Sequence, residues 1–293
     1  MTLWRNRYRV ADASRRPLGR VSARDGVELA VTQNRSSASD PTGTVLIVHG
    51  WGEHQGRYKE LSDRLVGLGF SVWSYDLRGH GASGGPKGHT PQFSTLADDL
   101  TLVTEHARAI DGPQLPWFLL GHSLGGLIVL RALQTRRCNP AAACLSAPWL
   151  RTARHIPAWK RGMARVLNRV APSWPVPNRL DPTVLTKDPV KIAEHQADPL
   201  IHGMMTSRMF FEVERAQEEA LGAPGPLGCP VLVLIPGDDP VVDAATTAHF
   251  VHRPPGGEVR ALELPESRHE PFNEVDREDR FDEVGSFFNG VLE

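Results

Sequence analysis

The chain has 293 residues, which is enough for one large α/β core with an elaboration and for a substantial buried interior. Its 33 Lys and Arg residues are matched by 34 Asp and Glu residues, so the formal net charge at pH 7 is −1. This balance gives no electrostatic reason to expect a nucleic acid or an anionic membrane as partner, and it favours a small, roughly neutral ligand.

The cysteines and the N-terminus favour a cytoplasmic protein. Cys138, Cys144 and Cys229 are odd in number, widely spread and without metal-ligand spacing, so we expect no disulfide framework. Residues 1–20 are basic, but no apolar stretch of signal-peptide length follows them, and no stretch approaches a membrane span. We therefore expect a soluble protein in a reducing compartment.

Seven apolar segments have the character of strands, and they alternate with helical patterns. In chain order they are VELAVTQ, TVLIVHG, FSVWSYD, WFLLGHS, AAACLSAP, VLVLIPGD and VRALELPE. Such alternation is typical of βαβ units, so the sequence predicts an α/β fold with a mainly parallel sheet and flanking helices.

Three helices of this core are predicted from apolar residues at helical spacing. The stripes of the first and the last helix are Tyr58, Leu61, Leu65 and Leu68, and Phe281, Val284, Phe287, Phe288 and Val291. The middle helix has Thr90 as its predicted cap and Pro91 in its first turn. Its apolar stripe is Phe93, Leu96, Leu100, Val103 and Ile110.

One connection is far longer than the others. Residues 148–229 separate two core strands, where a crossover ordinarily needs a fraction of that length. Two apolar stripes lie within it: Trp159, Met163, Val166 and Val170, and Met209, Val213, Ala216 and Ala220. We interpret 148–229 as a helical cap inserted into a core made of 1–147 and 230–293. Ligands of open α/β sheets bind outside the carboxyl ends of the strands, so a cap there would cover the binding site. The alternative is that the insertion is decorative or serves dimerisation.

Residues 121–125, GHSLG, fit the G-x-S-x-G pattern of a nucleophile elbow. A strand turns sharply into a helix there and holds Ser123 in a strained conformation, while side chains at Gly121 and Gly125 would collide with the neighbouring strand and helix. The preceding WFLL and the following LIVLRAL supply the required strand and helix. We therefore predict Ser123 as a nucleophile rather than part of a plain turn.

A serine hydroxyl needs a base, and the base needs an orienting group. The chain order serine, acid, histidine restricts both. The segment LELPESRHEPFNE offers a single histidine, His269, between the last strand and the last helix. The segment LIPGDDPVVD offers three acids near the turn that leaves a buried strand, and local chemistry does not separate them: Asp238, Asp239 and Asp243.

Two backbone N–H groups are candidates for binding the oxyanion. In this architecture one belongs to the residue after the nucleophile, here Leu124, and the other to the loop after the strand TVLIVHG, here Trp51. The remaining histidines are scattered and form no H-E-x-x-H or similar set. We predict neither a metal nor a cofactor.

Six segments resemble, in order, the successive motifs of α/β-hydrolases of the monoacylglycerol lipase and lysophospholipase type. They are HGWGEHQGRY, YDLRGHGASGG, GHSLGG, SAP, GDDPVVD and SRHEPFNE, and they are distributed along nearly the whole chain. The resemblance implies the α/β-hydrolase fold with an eight-stranded sheet and a helical cap, the same two oxyanion donors, and a triad of Ser123, Asp239 and His269. It selects Asp239 because the family's acid stands four residues before a second Asp, here Asp243.

The resemblance also implies a fatty-acyl ester of a small polar alcohol as substrate, with long-chain monoacylglycerol as the leading class. In related lipases, positions matching Glu53 and Arg57 lie near the alcohol end of the pocket, and Phe272 stands where mammalian monoacylglycerol lipases carry a histidine. Apolar residues of the cap are candidates for an acyl channel, although we expect at least half of them to pack inside the cap: Trp149, Trp159, Met163, Trp174, Met204, Met205 and Phe210.

Other activities on the same scaffold stay open. A lysophospholipase or a short-chain carboxylesterase would use the same chemistry. An iminopeptidase-like amidase would need carboxylates that hold an ammonium group, for which the cap offers Asp181, Asp188, Glu194 and Asp198. A non-catalytic ligand-binding homologue usually lacks a triad member, whereas this chain has a candidate for each of the three. Dehalogenases and epoxide hydrolases place Asp at the elbow, where this chain has Ser123. We expect a small-molecule ester as partner and transient contact of the cap with a lipid surface, and we leave the oligomeric state open.

Overall fold

The computed structural model describes residues 13–36, 40–153, 156–222, 225–252 and 256–293, so the basic residues 1–12 lie outside the described part of the chain. The strands, in chain order, are β1 (Ala13–Ser22), β2 (Glu28–Ser36), β3 (Gly43–Val48), β4 (Phe70–Tyr75), β5 (Trp117–His122), β6 (Ala142–Ser146), β7 (Pro175–Pro177), β8 (Met204–Thr206), β9 (Val231–Pro236) and β10 (Val259–Leu264). The α-helices are α1 (Lys59–Gly67), α2 (Phe93–Asp111), α3 (Leu124–Gln134), α4 (Ala158–Val170), α5 (Pro189–Ala197), α6 (Ser207–Gly222), α7 (Ala244–His252) and α8 (Arg277–Leu292). Short 3-10 turns cover Gln55–Tyr58, Pro182–Val184 and Pro271–Asn273.

The main sheet has eight strands in the order β1-β2-β4-β3-β5-β6-β9-β10. Its pairs are parallel from β4 to β10, and β2 is antiparallel to both β1 and β4. This confirms the predicted mainly parallel α/β sheet. The sequence did not indicate the edge strand β1, because its residues are largely polar and include Pro17, next to which the pairing register shifts. Proline and irregular register are tolerated at a sheet edge.

Helices bury both faces of the sheet. Helices α2, α3, α6 and α7 contribute to one apolar core, and α1 and α8 contribute to the other. The strands β3, β4, β5, β6 and β9 are buried along their whole length. Strands covered on both faces read as continuous apolar runs rather than as alternating ones, which is why these segments were recognisable in the sequence.

The connection between β6 and β9 divides into two parts. Its first part holds α4, α5 and the short antiparallel pair β7–β8. Its last helix, α6, packs on α2 and α3, and its predicted stripe belongs to the main core: Met209, Val213, Ala216 and Ala220. The predicted cap boundary at residue 229 is therefore wrong, because α6 is a helix of the core and the insertion ends at β8.

The stripe predicted on α4 faces solvent. Trp159, Met163, Val166 and Val170 are exposed by 62%, 65%, 63% and 74%, and α4 has no buried residue. We expected at least half of the seven apolar cap residues to pack inside the cap, and Trp159 and Met163 do not, because the outer face of α4 is uncovered in the described part of the chain.

Helix α2 begins later than predicted. The Thr90 hydroxyl donates to the carbonyl of Gln92, and both Thr90 and Pro91 precede the helix. The N–H of Phe93, the first helical residue, donates instead to Glu212 of α6 at 2.9 Å, so the cap is a tertiary contact. Ile110 is 48% exposed rather than part of the buried stripe, because Ala107 takes the buried position of that turn.

Candidate active site

Ser123 lies between the end of β5 and the start of α3, at the centre of the parallel sheet. Its φ of 52° and ψ of −113° are strained for a residue with a side chain. A Cβ atom on Gly121 would lie 2.4 Å from the Gly125 carbonyl oxygen, and one on Gly125 would lie 2.2 Å from the Val48 carbonyl oxygen. The elbow therefore depends on glycine at both positions, as the motif predicts.

The structure brings the three predicted side chains together. His269 Nε2 lies 3.0 Å from Ser123 Oγ, and His269 Nδ1 lies 2.7 Å from Asp239 Oδ2. Ser123 and His269 are buried, and the Asp239 side chain is only 1% exposed. The other carboxylate oxygen of Asp239 accepts hydrogen bonds from the N–H groups of Val241 and Val242, so its orientation is fixed.

The two neighbouring acids lie elsewhere. Asp238 has a side chain that is 54% exposed and pairs with Lys187 at 3.1 Å. Asp243 precedes α7 and accepts from the Ala245 N–H and the Thr246 hydroxyl. Of the three candidates, only Asp239 contacts His269.

The protonation of His269 is tuned by its surroundings. Burial disfavours the imidazolium ion, but the charge and the hydrogen bond of Asp239 outweigh it and raise the pKa of His269 above its ordinary value of 6.5. The ring of His122 lies 4.9 Å from that of His269, and burial together with repulsion from His269 lowers the pKa of His122 to about 4. A single imidazole in this pair is therefore able to take up a proton near neutral pH.

The two predicted oxyanion donors are both available. Leu124 is the first residue of α3, and Trp51 follows Gly50, whose Cβ position would lie 3.2 Å from Ser123 Cβ. In the described ranges, neither the Leu124 nor the Trp51 backbone N–H donates to a protein acceptor. The Gly50 N–H, in contrast, donates to Glu53 at 2.6 Å, which holds the loop in place.

Glu53 and Arg57 form a buried ionic cluster next to this loop. Arg57 donates to Glu53 at 2.7 Å and makes two 2.6 Å bonds to Glu270, while Tyr58 donates to Glu53 at 2.7 Å. Burial favours neutral carboxyls, but the charge of Arg57 outweighs it and lowers the pKa of both glutamates. Sequence reasoning missed Glu270 and Tyr58, although each adjoins a predicted motif residue.

The residues predicted to bind substrate are dispersed. Phe272 is 5% exposed and packs against Tyr58 and Phe281 in the core beside α1 and α8, so its place in a substrate pocket stays a prediction. Trp159 projects into solvent on α4.

The other three predicted pocket residues contact the main core. Met205 is buried in it, and Phe210 and Trp149 pack against it while partly buried. Of these three, Trp149 contacts the elbow, because its backbone N–H donates to the Ser123 carbonyl at 3.0 Å.

The described residues contain neither a metal-ligand cluster nor a membrane-spanning helix. No group of three or more His, Cys, Asp or Glu side chains there is arranged to hold a metal ion. No helix there is both long and apolar enough to cross a bilayer.

The chain is similar to known proteins along most of its length. Residues 39–276 match the family model described as "Serine aminopeptidase, S33". A monoacylglycerol lipase of Mycolicibacterium smegmatis is 32% identical over 85% of this chain and 89% of that protein, and the phospholipase YtpA of Bacillus subtilis is 31% identical over 85% and 96%. An uncharacterized abhydrolase domain-containing protein of Dictyostelium discoideum is 30% identical over 82% of this chain but only 25% of its own length.

Solved structures show the same fold. The crystal structure of the Paleococcus ferrophilus monoacylglycerol lipase has 29% sequence identity and a TM-score of 0.77, with 90% of this chain and 99% of that chain covered. The predicted family and fold are thereby confirmed.

Proposed function

The chain belongs to the serine aminopeptidase S33 family of α/β-hydrolases, and from this premise we propose that it is a serine ester hydrolase that cleaves monoacylglycerols. The observation that carries the proposal is the continuous hydrogen-bonded line from Asp239 through His269 to Ser123, with distances of 2.7 Å and 3.0 Å. Relatives named as monoacylglycerol lipases support the choice of ester.

The reaction proceeds through an acyl-enzyme. His269 Nε2 accepts the Oγ proton as Ser123 attacks the ester carbonyl, and the N–H groups of Trp51 and Leu124 stabilise the oxyanion. His269 then gives the proton to the departing alcohol, which leaves the acyl group on Ser123. Water attacks this ester with His269 again as base, and the fatty acid is released. Asp239 holds the imidazole and stabilises its charged form.

The insertion between β6 and α6 is proposed to act as a cap with a lipid-facing surface, which is the exposed stripe of α4. Its four apolar residues recur on one side of the helix, and Trp174 beyond the helix is 66% exposed as well. A helix with a wide apolar face on the outside of a protein is typical of one that lies in the interfacial region of a bilayer.

The charge of α4 complements an anionic lipid surface. Its sequence AWKRGMARVLNRV contains four cations and no acid, although the whole chain has a net charge of −1. Lys160, Arg165 and Arg169 are exposed, and Arg161 pairs with Glu214 at 2.7 Å. Each cation near an anionic bilayer contributes about 1 kcal/mol to binding.

Vesicle sedimentation tests this surface. A double variant, Trp159→Ser with Met163→Ser, removes two exposed apolar side chains, each worth roughly 1.5–3 kcal/mol when fully buried in lipid. We expect at least ten-fold weaker binding to vesicles of phosphatidylcholine mixed with phosphatidylglycerol. The matched control is Ile110→Ser with Val190→Ser, because both residues are exposed outside the stripe. Equal binding by the two double variants would remove α4 from the lipid contact.

Lysophospholipids are the second substrate candidate, favoured by the similarity to a phospholipase. An amidase that holds an amino terminus is disfavoured by the carboxylates, because those near the site already have partners. Glu53 and Glu270 bind Arg57, and Asp198 binds His54 at 2.7 Å. Among the remaining cap acids, Asp188 pairs with Arg277, Glu194 pairs with Lys191, and Asp181 accepts from the Thr183 N–H.

Rates on a series of monoacylglycerols and lysophosphatidylcholines of increasing acyl length, with an amino-acid amide as third class, test this assignment. We expect the monoacylglycerols to be hydrolysed fastest and a fluorophosphonate probe to label the native protein. A folded Ser123→Ala variant should lose both the ester hydrolysis and the labelling. Faster turnover of the amide, or full esterase activity in that variant, would contradict the proposal. A cytoplasmic role in lipid turnover is also proposed, supported by three free thiols at Cys138, Cys144 and Cys229.

A further inference from the structure

The oxyanion loop, residues 49–54, is oriented from the side of the sheet by His49. The Leu77 N–H donates to His49 Nε2 at 2.9 Å, so the ring proton is on Nδ1, which donates to the Gly50 carbonyl at 2.7 Å. Because a trans peptide is planar, fixing the Gly50 carbonyl also fixes the direction of the Trp51 N–H, which points the opposite way.

The same loop is held on its other side by the return segment, residues 198–206, which closes the insertion. The Trp51 indole Nε1–H donates to the Met204 carbonyl at 3.2 Å, and the His202 N–H donates to the Gly52 carbonyl at 2.9 Å. Gly52 has a φ of +80°, and a Cβ there would lie 2.6 Å from the His202 carbonyl oxygen. The two backbones therefore approach more closely than side chains would allow.

The return segment is itself fixed to the core. His202 Nε2–H donates to the Gly79 carbonyl at 2.9 Å, and the Thr206 N–H donates to the Gly88 carbonyl at 3.0 Å. At its start, Asp198 pairs with His54 of the oxyanion loop at 2.7 Å. The return segment thus supports the oxyanion loop, and the Trp51 indole extends from the loop to strand β8 of the return segment.

We propose that the Trp51 indole is a clamp that positions the backbone N–H of its own residue by fastening the oxyanion loop to the return segment. This rests on the proposed function, in which that N–H binds the oxyanion. Tryptophan suits the task because its indole is a hydrogen-bond donor only and is long enough to reach Met204. Packing of the return segment against the oxyanion loop and binding of the oxyanion then favour one another, and such coupling is reciprocal.

Steady-state kinetics of Trp51→Phe test the clamp, since phenylalanine keeps an aromatic ring but has no donor. We expect kcat to fall by roughly two- to ten-fold, the effect of one neutral hydrogen bond, with KM within two-fold of the native value. The inhibition constant of phenylboronic acid rises by the same factor, because its boron bonds to Ser123 Oγ and places a hydroxyl where the oxyanion forms.

The matched control is Trp73→Phe. It also removes an indole hydrogen bond, from Trp73 Nε1 to Asp111 at 2.7 Å, but this bond lies within the core away from Ser123. We expect a lower melting temperature with kcat and the boronate affinity unchanged. An unchanged kcat in Trp51→Phe, a rise of KM alone, or an equal fall of kcat in Trp73→Phe overturns the clamp.

Hydrogen exchange gives a second readout. Phenylboronic acid should slow exchange of the His202 and Thr206 amides in the native protein, and less so in Trp51→Phe. If the boronate binds without protecting these amides, the clamp is wrong while the proposed function stands. If the boronate does not bind the native protein, the proposed function fails, and the clamp fails with it.

Discussion

Replacing Gly125 by alanine tests how tightly the elbow is packed. The new Cβ would lie 2.2 Å from the Val48 carbonyl oxygen and 2.6 Å from that of His49, so this backbone would have to retreat by about 1 Å to reach ordinary contact. Overpacking of a rigid site costs about 1–3 kcal/mol, and it outweighs the gain of about 1 kcal/mol that alanine gives in a helix. Because His49 begins the oxyanion loop, the same displacement moves the Trp51 N–H and lowers kcat.

Urea denaturation and steady-state kinetics measure both effects. The control is Gly162→Ala in α4, where a Cβ meets nothing within 4 Å. This variant should gain about 0.5–1 kcal/mol of unfolding free energy and keep its kcat. Gly125→Ala should be destabilised and should lose at least ten-fold in kcat. A Gly125→Ala protein as stable and as active as the native one would refute the reasoning.

Two other substitutions have defined outcomes. Arg57→Met leaves the buried carboxylates of Glu53 and Glu270 without a cation, so urea denaturation should show a loss of about 3–5 kcal/mol, and a loss under 1 kcal/mol would mean that the cluster relaxes. Catalysis needs neutral His269, and Asp239 raises the pKa of His269, so the acidic limb of the kcat/KM profile should lie above pH 6.5 in the native protein. In Asp239→Asn this limb should shift to lower pH, and the rate should be about 10⁴-fold lower. If the acidic limb lies at the same pH in Asp239→Asn, Asp239 is not the cause of the raised pKa of His269.

The features that the sequence predicted well are those with strong local rules. The glycines around Ser123 are required by contacts within the elbow, and buried parallel strands leave continuous apolar runs. The placement of Asp239 needed the family resemblance, because Asp238 has the same local chemistry and differs only in its position after β9.

The features that the sequence did not predict depend on tertiary contacts. An amphipathic stripe shows that a helix has an apolar face, but not what covers it: the stripe of α6 meets the core, whereas that of α4 meets solvent. Phe272 was assigned to the pocket by the family resemblance, which does not show that the 3-10 turn at Pro271–Asn273 directs its ring into the core. The capping of α2 by Glu212 joins residues 119 positions apart.

The most direct test of a covalent mechanism at Ser123 is to trap the acyl-enzyme. The protein is mixed with p-nitrophenyl butyrate, whose activated leaving group makes acylation faster than deacylation, then quenched in acid and analysed by peptide mass spectrometry. We expect one butyryl group on the peptide that contains Ser123, and none in Ser123→Ala. A butyryl group on another residue, or turnover at the native rate in Ser123→Ala, would contradict the mechanism.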